Sequence, residues 1–385
     1  MALRGRSASA RTAGYCKGRS RLRQAPLDEA HRRLAGKIRS AHLPQRLWFG
    51  RPVKVVDGSG LSMPDTASLQ KLYPQPKGAK PGCSFPVLRV VALFCLGTGV
   101  LIETAKGSLQ VGERALFRSL WDRLDIGDVI LADRGFCGFA ELHFLLQRGV
   151  DCVMRAHQRR TVGRIVLKSL GPGDRLVLWL KSKPPLWVDK AVWDALPEAI
   201  RLREITFRTG VRGFRVQAIT VVTTLLDPVA FRAEAFADLY RRRWQAELFL
   251  RDIKTTMGMD ILRCKTPAMI HKELTMHLIA YNLVRLTMLE AASAHETPVE
   301  RLSFKGTLAA LREWSPLFPR ANTRARRRLW RFLLRCLAAD PIPLRPDRIE
   351  PRARKRRPKN YQLLTKPRRL FKEIRHRNRY KKMLS

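Results

Sequence analysis

Four residues near the middle of the chain are spaced as Tyr240-x2-Arg243-x3-Glu247-x6-Lys254. An α-helix advances about 100° per residue, so the four fall within about 60° of one another. A single helix over 236–257 would set a phenol, two cations and a carboxylate on one face. Upstream, two aspartates close apolar runs of β type, Lys-Val-Val-Asp57-Gly-Ser-Gly and Val-Ile-Leu-Ala-Asp133-Arg-Gly-Phe. Asp57, Asp133 and Glu247 together offer the hard carboxylate oxygens that Mg2+ takes alongside waters and substrate oxygens. Arg243, Lys254 and Tyr240 are side chains that hold phosphate. Singly, each acid reads as a turn residue beside a glycine or as a solvated helix charge. The ordered set reads as a metal site for chemistry at phosphorus.

The elements that must carry these groups follow from periodicity. Strands are expected ending at Asp57, near Val87 to Leu96, near Val100 to Ala105, near Asp128 to Ala132 and near Cys152 to Arg155. Helices are expected near Gly112 to Leu124 and Phe139 to Gln147. Gly97-Thr98-Gly99 breaks the longest apolar stretch, which makes it a β-hairpin too short to span a bilayer. From Thr161 to Leu226 the pattern turns to strands, at Arg164 to Leu167, Arg175 to Leu180, Glu204 to Arg208 and Phe214 to Leu225. An amphipathic helix is expected over Leu27 to Ile38 and another near Ile270 to Leu289. Arginine-rich helices near Arg301 to Trp314 and Arg324 to Leu337 precede a Pro- and Arg-rich tail without structure.

The four-residue register, with Val-Asp57-Gly-Ser followed by Met-Pro-Asp65-Thr66 and with Ala-Asp133-Arg-Gly-Phe, resembles insertion-sequence transposases of the IS4 type, strongly over about residues 50 to 290. Weaker echoes lie in Gly14-Tyr15-Cys16-Lys17 and the basic tail. The resemblance implies an α/β, RNase H-like mixed-sheet catalytic core with a β-rich insertion between the second aspartate and the glutamate. It implies Asp57, Asp133 and Glu247 as catalytic metal ligands for two Mg2+ ions, with Mn2+ as a possible substitute. Tyr240, Arg243 and Lys254 are then the contacts that seat a DNA end, and an aromatic of the insertion holds a flipped base. Trp179, Trp187 and Trp193 all lie in that segment. Trp187, in a loop after Lys183-Pro184-Pro185, is slightly favoured, although a core role suits any one of the three. Asp65 is set aside as capping a turn and Asp252 as lying off the face. Two rivals stand beside a transposase: a nuclease of the same fold, and an inactive relative that only binds DNA.

Charge points to the same partner independently. The chain has 75 Lys and Arg against 32 Asp and Glu, a formal net charge of +43. Such a field attracts polyanions. No acid precedes Asp28, and Glu373 is the lone acid after Pro351 among about fifteen cations. Both ends read as arms for phosphate backbone. Double-stranded DNA, as element ends and as target, is the expected partner, with a homodimer forming on it and no membrane. The seven cysteines show no CxxC pair, and no secretory h-region or phosphate-binding GxxxxGK[ST] is present. A reducing, cytoplasmic, nucleoid-associated setting and independence from ATP are expected. The organisation expected is a basic N-terminal region (1–50), core (51–160), insertion (161–228), core with the signature helix (229–295), basic helices (296–350) and basic tail (351–385). Relatives of this type often carry a longer region before the first aspartate, including an end-recognition domain, than the 56 residues here.

Overall fold

A computed structural model describes residues 13–78, 80, 82–157, 163–209, 217–343 and 370. The basic tail, the first arginines and Gly210 lie outside the described residues. The elements run α1 (Ala13–Arg21), α2 (Gln24–His42), β1 (Val53–Ser62), α3 (Ala67–Leu72), β2 (Val87–Cys95), β3 (Leu101–Ser108), α4 (Glu113–Arg118), β4 (Val129–Ala132), α5 (Phe139–Gln147) and β5 (Asp151–Arg155). Then follow β6 (Arg164–Gly171), β7 (Asp174–Leu180), α6 (Lys190–Asp194), β8 (Ala199–Thr209), β9 (Gln217–Thr223), α7 (Ala233–Arg242), α8 (Trp244–Arg251), a π turn (Asp252–Thr256), α9 (Pro267–Ala294), α10 (Phe304–Trp314) and α11 (Thr323–Ala339).

The nine strands of the described residues join one sheet in the order β3-β2-β1-β4-β5-β9-β8-β7-β6. The first three form an antiparallel meander, and β4 and β5 then add parallel to β1. That is the RNase H-like arrangement. The β-rich segment extends the same sheet, because β9 pairs antiparallel with β5 and passes the pairing on to β8, β7 and β6. Helices cover both faces, so β2 and β4 read as almost unbroken apolar runs instead of alternating. Alternation does sort β1: Val53, Val55 and Leu61 enter the core under α7, α8 and α9, while Val56 enters the core under α4 and α5. Lys54, on the second face, is buried and neutralised by Asp128 at 2.5 Å and Asp125 at 3.0 Å.

Two expectations are corrected. β1 does not end at Asp57; it stays paired with β2 through Ser62, because Val87 to Ala92 continue opposite it. The signature segment is not one α-helix. It breaks at Arg243 between α7 and α8, and its last turn is π, closed by Met257 N–H to the Asp252 carbonyl at 3.0 Å. The β2–β3 hairpin turns at Gly99 with φ 68°, a left-handed conformation that favours glycine, and the Arg285 guanidinium lies against it. Asp65 accepts a hydrogen bond from Gln70 Nε2 at 2.8 Å, while it is Thr66 that caps α3.

Candidate active site

The site forms where β1 outruns β4. Pairing between them stops at Val55 and Leu131, which leaves one edge of β1 open from Val56 onward. Asp57 stands on that open stretch, half-buried, facing the layer of α8. Its Oδ1 accepts the Gly58 N–H at 2.8 Å. Burial pushes the Asp57 carboxyl above the usual aspartate range; the Gly58 bond and the Arg243 charge pull it back, while Glu247 and Glu113 add to the rise. Asp133 follows the end of β4, and its Oδ1 accepts the Arg134 N–H at 2.7 Å and the Tyr240 hydroxyl at 3.4 Å.

The segment from α7 to the π turn lies across these strand ends. Burial pushes the Tyr240 hydroxyl up to about 12, so it keeps its proton and serves Asp133 as a donor. Arg243 sits at the helix break with its side chain 15 % exposed, and its Nη2 donates to Glu247 Oε1 at 3.0 Å. Burial opposes its charge, but Tyr240, Glu247, Asp133 and Asp57 outweigh that effect and hold the guanidinium protonated. Arg243 thus interacts with all three acids. Lys254, carried on the π turn, donates to Ser59 Oγ at 2.8 Å and so fastens the segment to β1 two residues beyond Asp57. The extra residue of a π turn re-aims a side chain without ending the helix.

Among the described residues, no three His, Cys, Asp or Glu side chains converge on a common point as an ion-binding group. The negative charges meet instead at the Arg243 guanidinium. The donor chemistry nevertheless suits a divalent cation, because every acid involved offers hard oxygen and none is a thiolate or imidazole.

The tryptophans are placed differently. Trp179 is buried with its indole N–H on Glu204 at 3.0 Å, and Trp193 is buried against Phe139. Trp187 is 37 % exposed, yet its ring is covered by the Arg118 guanidinium at 4.0 Å and flanked by Phe144 and Trp121. Arg118 thus occupies one face of the ring. Sequence reasoning passed over three residues here. Ser59 was legible, since a strand's period of two sets it on the face of Asp57. Trp244, 52 % exposed, directly follows Arg243. Glu113, at the start of α4, gave no local signal.

The model of the family described as "Transposase DDE domain" matches residues 48–283. Transposase InsG for insertion sequence element IS4 of Escherichia coli (strain K12) is 27% identical over 322 residues, covering 83% of this chain and 71% of that protein. Putative transposase InsL for insertion sequence element IS186A, from the same strain, is 28% identical over 144 residues, covering 36% of each chain. Among solved structures, the piggyBac transposase synaptic complex with hairpin DNA aligns at a TM-score of 0.38 and 9% identity, covering 74% of this chain and 53% of that one.

Proposed function

The chain belongs to the transposase DDE-domain family and is a metal-dependent DNA transposase; from that premise we propose that it cuts and joins DNA at the inverted repeats of its own insertion sequence. The observation that carries the reading is Arg243, bonded to Glu247 and acting electrostatically on both Asp57 and Asp133. It supports one site built from β1, the end of β4 and α8. Asp57, Asp133 and Glu247 would hold two Mg2+ ions, or Mn2+ in their place. Such a pair, when bound, activates the attacking hydroxyl and stabilises the leaving oxygen of an in-line displacement at phosphorus.

The rest of the work falls to this chain's own residues. Tyr240 orients the Asp133 carboxylate by donating to it. Arg243 and Lys254 supply charge for the phosphodiester and fix the strand over the acids. The exposed indole of Trp244 offers a stacking surface at the same place, a role sequence reasoning gave to Trp187. The reading sets the protein in the bacterial cytoplasm, on nucleoid DNA, as a homodimer assembled on two element ends. Among the described residues no helix is long and apolar enough to cross a membrane.

The test incubates purified protein and Mg2+ with duplexes that carry or lack the inverted repeats flanking its gene. Selective cutting followed by strand joining is expected. Unselective cutting would indicate a nuclease, and binding without cutting would indicate a DNA-binding relative; either result rejects the proposal.

A further inference from the structure

The start of α4 brings to the site an acid that neither motif spacing nor family resemblance singles out. A Cβ built on Gly58 would lie 2.6 Å from Cδ and Oε1 of Glu113 and 3.0 Å from its Oε2. The Glu113 carboxylate therefore rests on the bare α-carbon of the residue that follows Asp57. Gly58 is not among the glycines with positive φ, so the backbone does not call for glycine there. The end of the Glu113 side chain occupies the space that a Cβ would take.

Alternation along β1 aims Asp57 at one face of the sheet and position 58 at the other. Asp57 turns back to accept the Gly58 N–H, and Glu113 meets the same residue from the α4 side. Two carboxylates thus close on one glycine at the open edge of β1, and Glu113 is among the charges acting on Asp57. The neighbouring Arg114 donates from Nε to the Gly135 carbonyl at 2.5 Å, which ties the start of α4 to the loop after Asp133. Glu113 itself is exposed and, among the described residues, has no hydrogen-bond or ion-pair partner, in a chain where cations outnumber acids more than two to one. Like charges drawn to one glycine repel, and a divalent cation that both can reach relieves that repulsion.

We propose that Glu113 supplies a fourth carboxylate to the metal-binding group of Asp57, Asp133 and Glu247. The inference rests on the site reading given above. It makes the site span both faces of the sheet.

The experiment measures Mn2+ binding to the full chain without DNA, from the loss of the free-ion electron paramagnetic resonance signal, for wild type, Glu113→Gln, Gly58→Ala, Asp57→Asn, Asp133→Asn and Glu247→Gln. Glu113→Gln should weaken Mn2+ binding on the order of tenfold. Its thermal unfolding and its metal-free DNA affinity should match wild type. Gly58→Ala, which pushes the carboxylate out, should weaken Mn2+ binding in the same direction. The loss should persist at about 0.5 M salt, where a purely long-range charge effect is screened; its disappearance there would overturn the ligand role. Wild-type Mn2+ affinity in Glu113→Gln would overturn the proposal alone if the other three acid variants bind weakly. It would overturn the site reading with it if they do not.

Discussion

Asp252→Asn should stabilise this protein at neutral pH, and the structure sets the size of the gain. Asp252 opens the π turn with its side chain 14 % exposed, and its nearest cation, Arg251, is 3.8 Å away. Burial raises its pKa from 3.8 to about 6, with Arg251 and Arg285 only partly opposing the rise. A carboxyl whose folded pKa is raised holds its proton more tightly when folded. Its contribution to stability is greatest below the unfolded value and is lost as pH climbs through the folded one. The shift of roughly 2 units, at about 1.4 kcal/mol per unit, amounts to about 3 kcal/mol lost between about pH 4 and pH 6. Asparagine keeps the shape and cannot ionise. Denaturation of wild type and variant from about pH 4 to about pH 8 should give coinciding stabilities at the acid end. The variant should pull ahead between about pH 4 and pH 6, with a constant lead above. A variant no more stable than wild type near pH 8, or a gap that widens on acidification, would refute the reasoning.

Four further outcomes are expected. Asp57→Asn, Asp133→Asn and Glu247→Gln should each abolish cleavage while leaving binding to element ends largely intact in a mobility-shift assay, and near wild-type cutting by any of them removes that residue from the site. Arg243→Gln and Lys254→Gln should each lower the slope of log affinity against log salt by about one; unchanged slopes in both would place them outside the DNA path. Trp187→Ala should cost about 1–2 kcal/mol of stability through the lost Arg118 contact without altering 2-aminopurine fluorescence at a DNA end, whereas a lost fluorescence response would return Trp187 to the DNA. Mixing a Glu247→Gln subunit with an acid-intact, DNA-binding-defective one should recover cleavage if one subunit cuts the end bound by the other, and a monomer measured by mass on cleavage-competent DNA would sink that idea.

What was legible in the residues is what depends on neighbours in sequence. The strands of the first half and α5 follow from local apolar patterning, and α5 spans Phe139–Gln147 as read. The continuation of β1 past Asp57 was hidden by Gly58 and Gly60, since glycine weakens a strand signal although pairing with β2 overrides it. The break at Arg243 and the π turn leave helical periodicity nearly intact over so few residues, so a continuous helix was the natural reading. The β5–β9 pairing joins segments far apart in the chain, and periodicity says nothing about such partners. Glu113 was invisible for the same reason. A glutamate in the first turn of a short helix looks like a helix-dipole residue, and only the approach of α4 to β1 sets it beside Asp57. Trp187 is exposed, as a loop position after two prolines suggests, but the packing of Arg118 and Phe144 on its ring joins segments distant in sequence and was not legible.

The order in which the site's parts occur along the chain bears on when it can act. β1 carries Asp57 and the end of β4 positions Asp133, and the whole run from α5 to α7 intervenes before α8 delivers Glu247. During synthesis the two aspartates emerge first and the glutamate last. A nascent chain, or a fragment released before α8, lacks both Glu247 and Lys254. On the proposed site, a stop codon before α8 yields a product that lacks one of the three carboxylates, and cutting is confined to molecules translated past that helix.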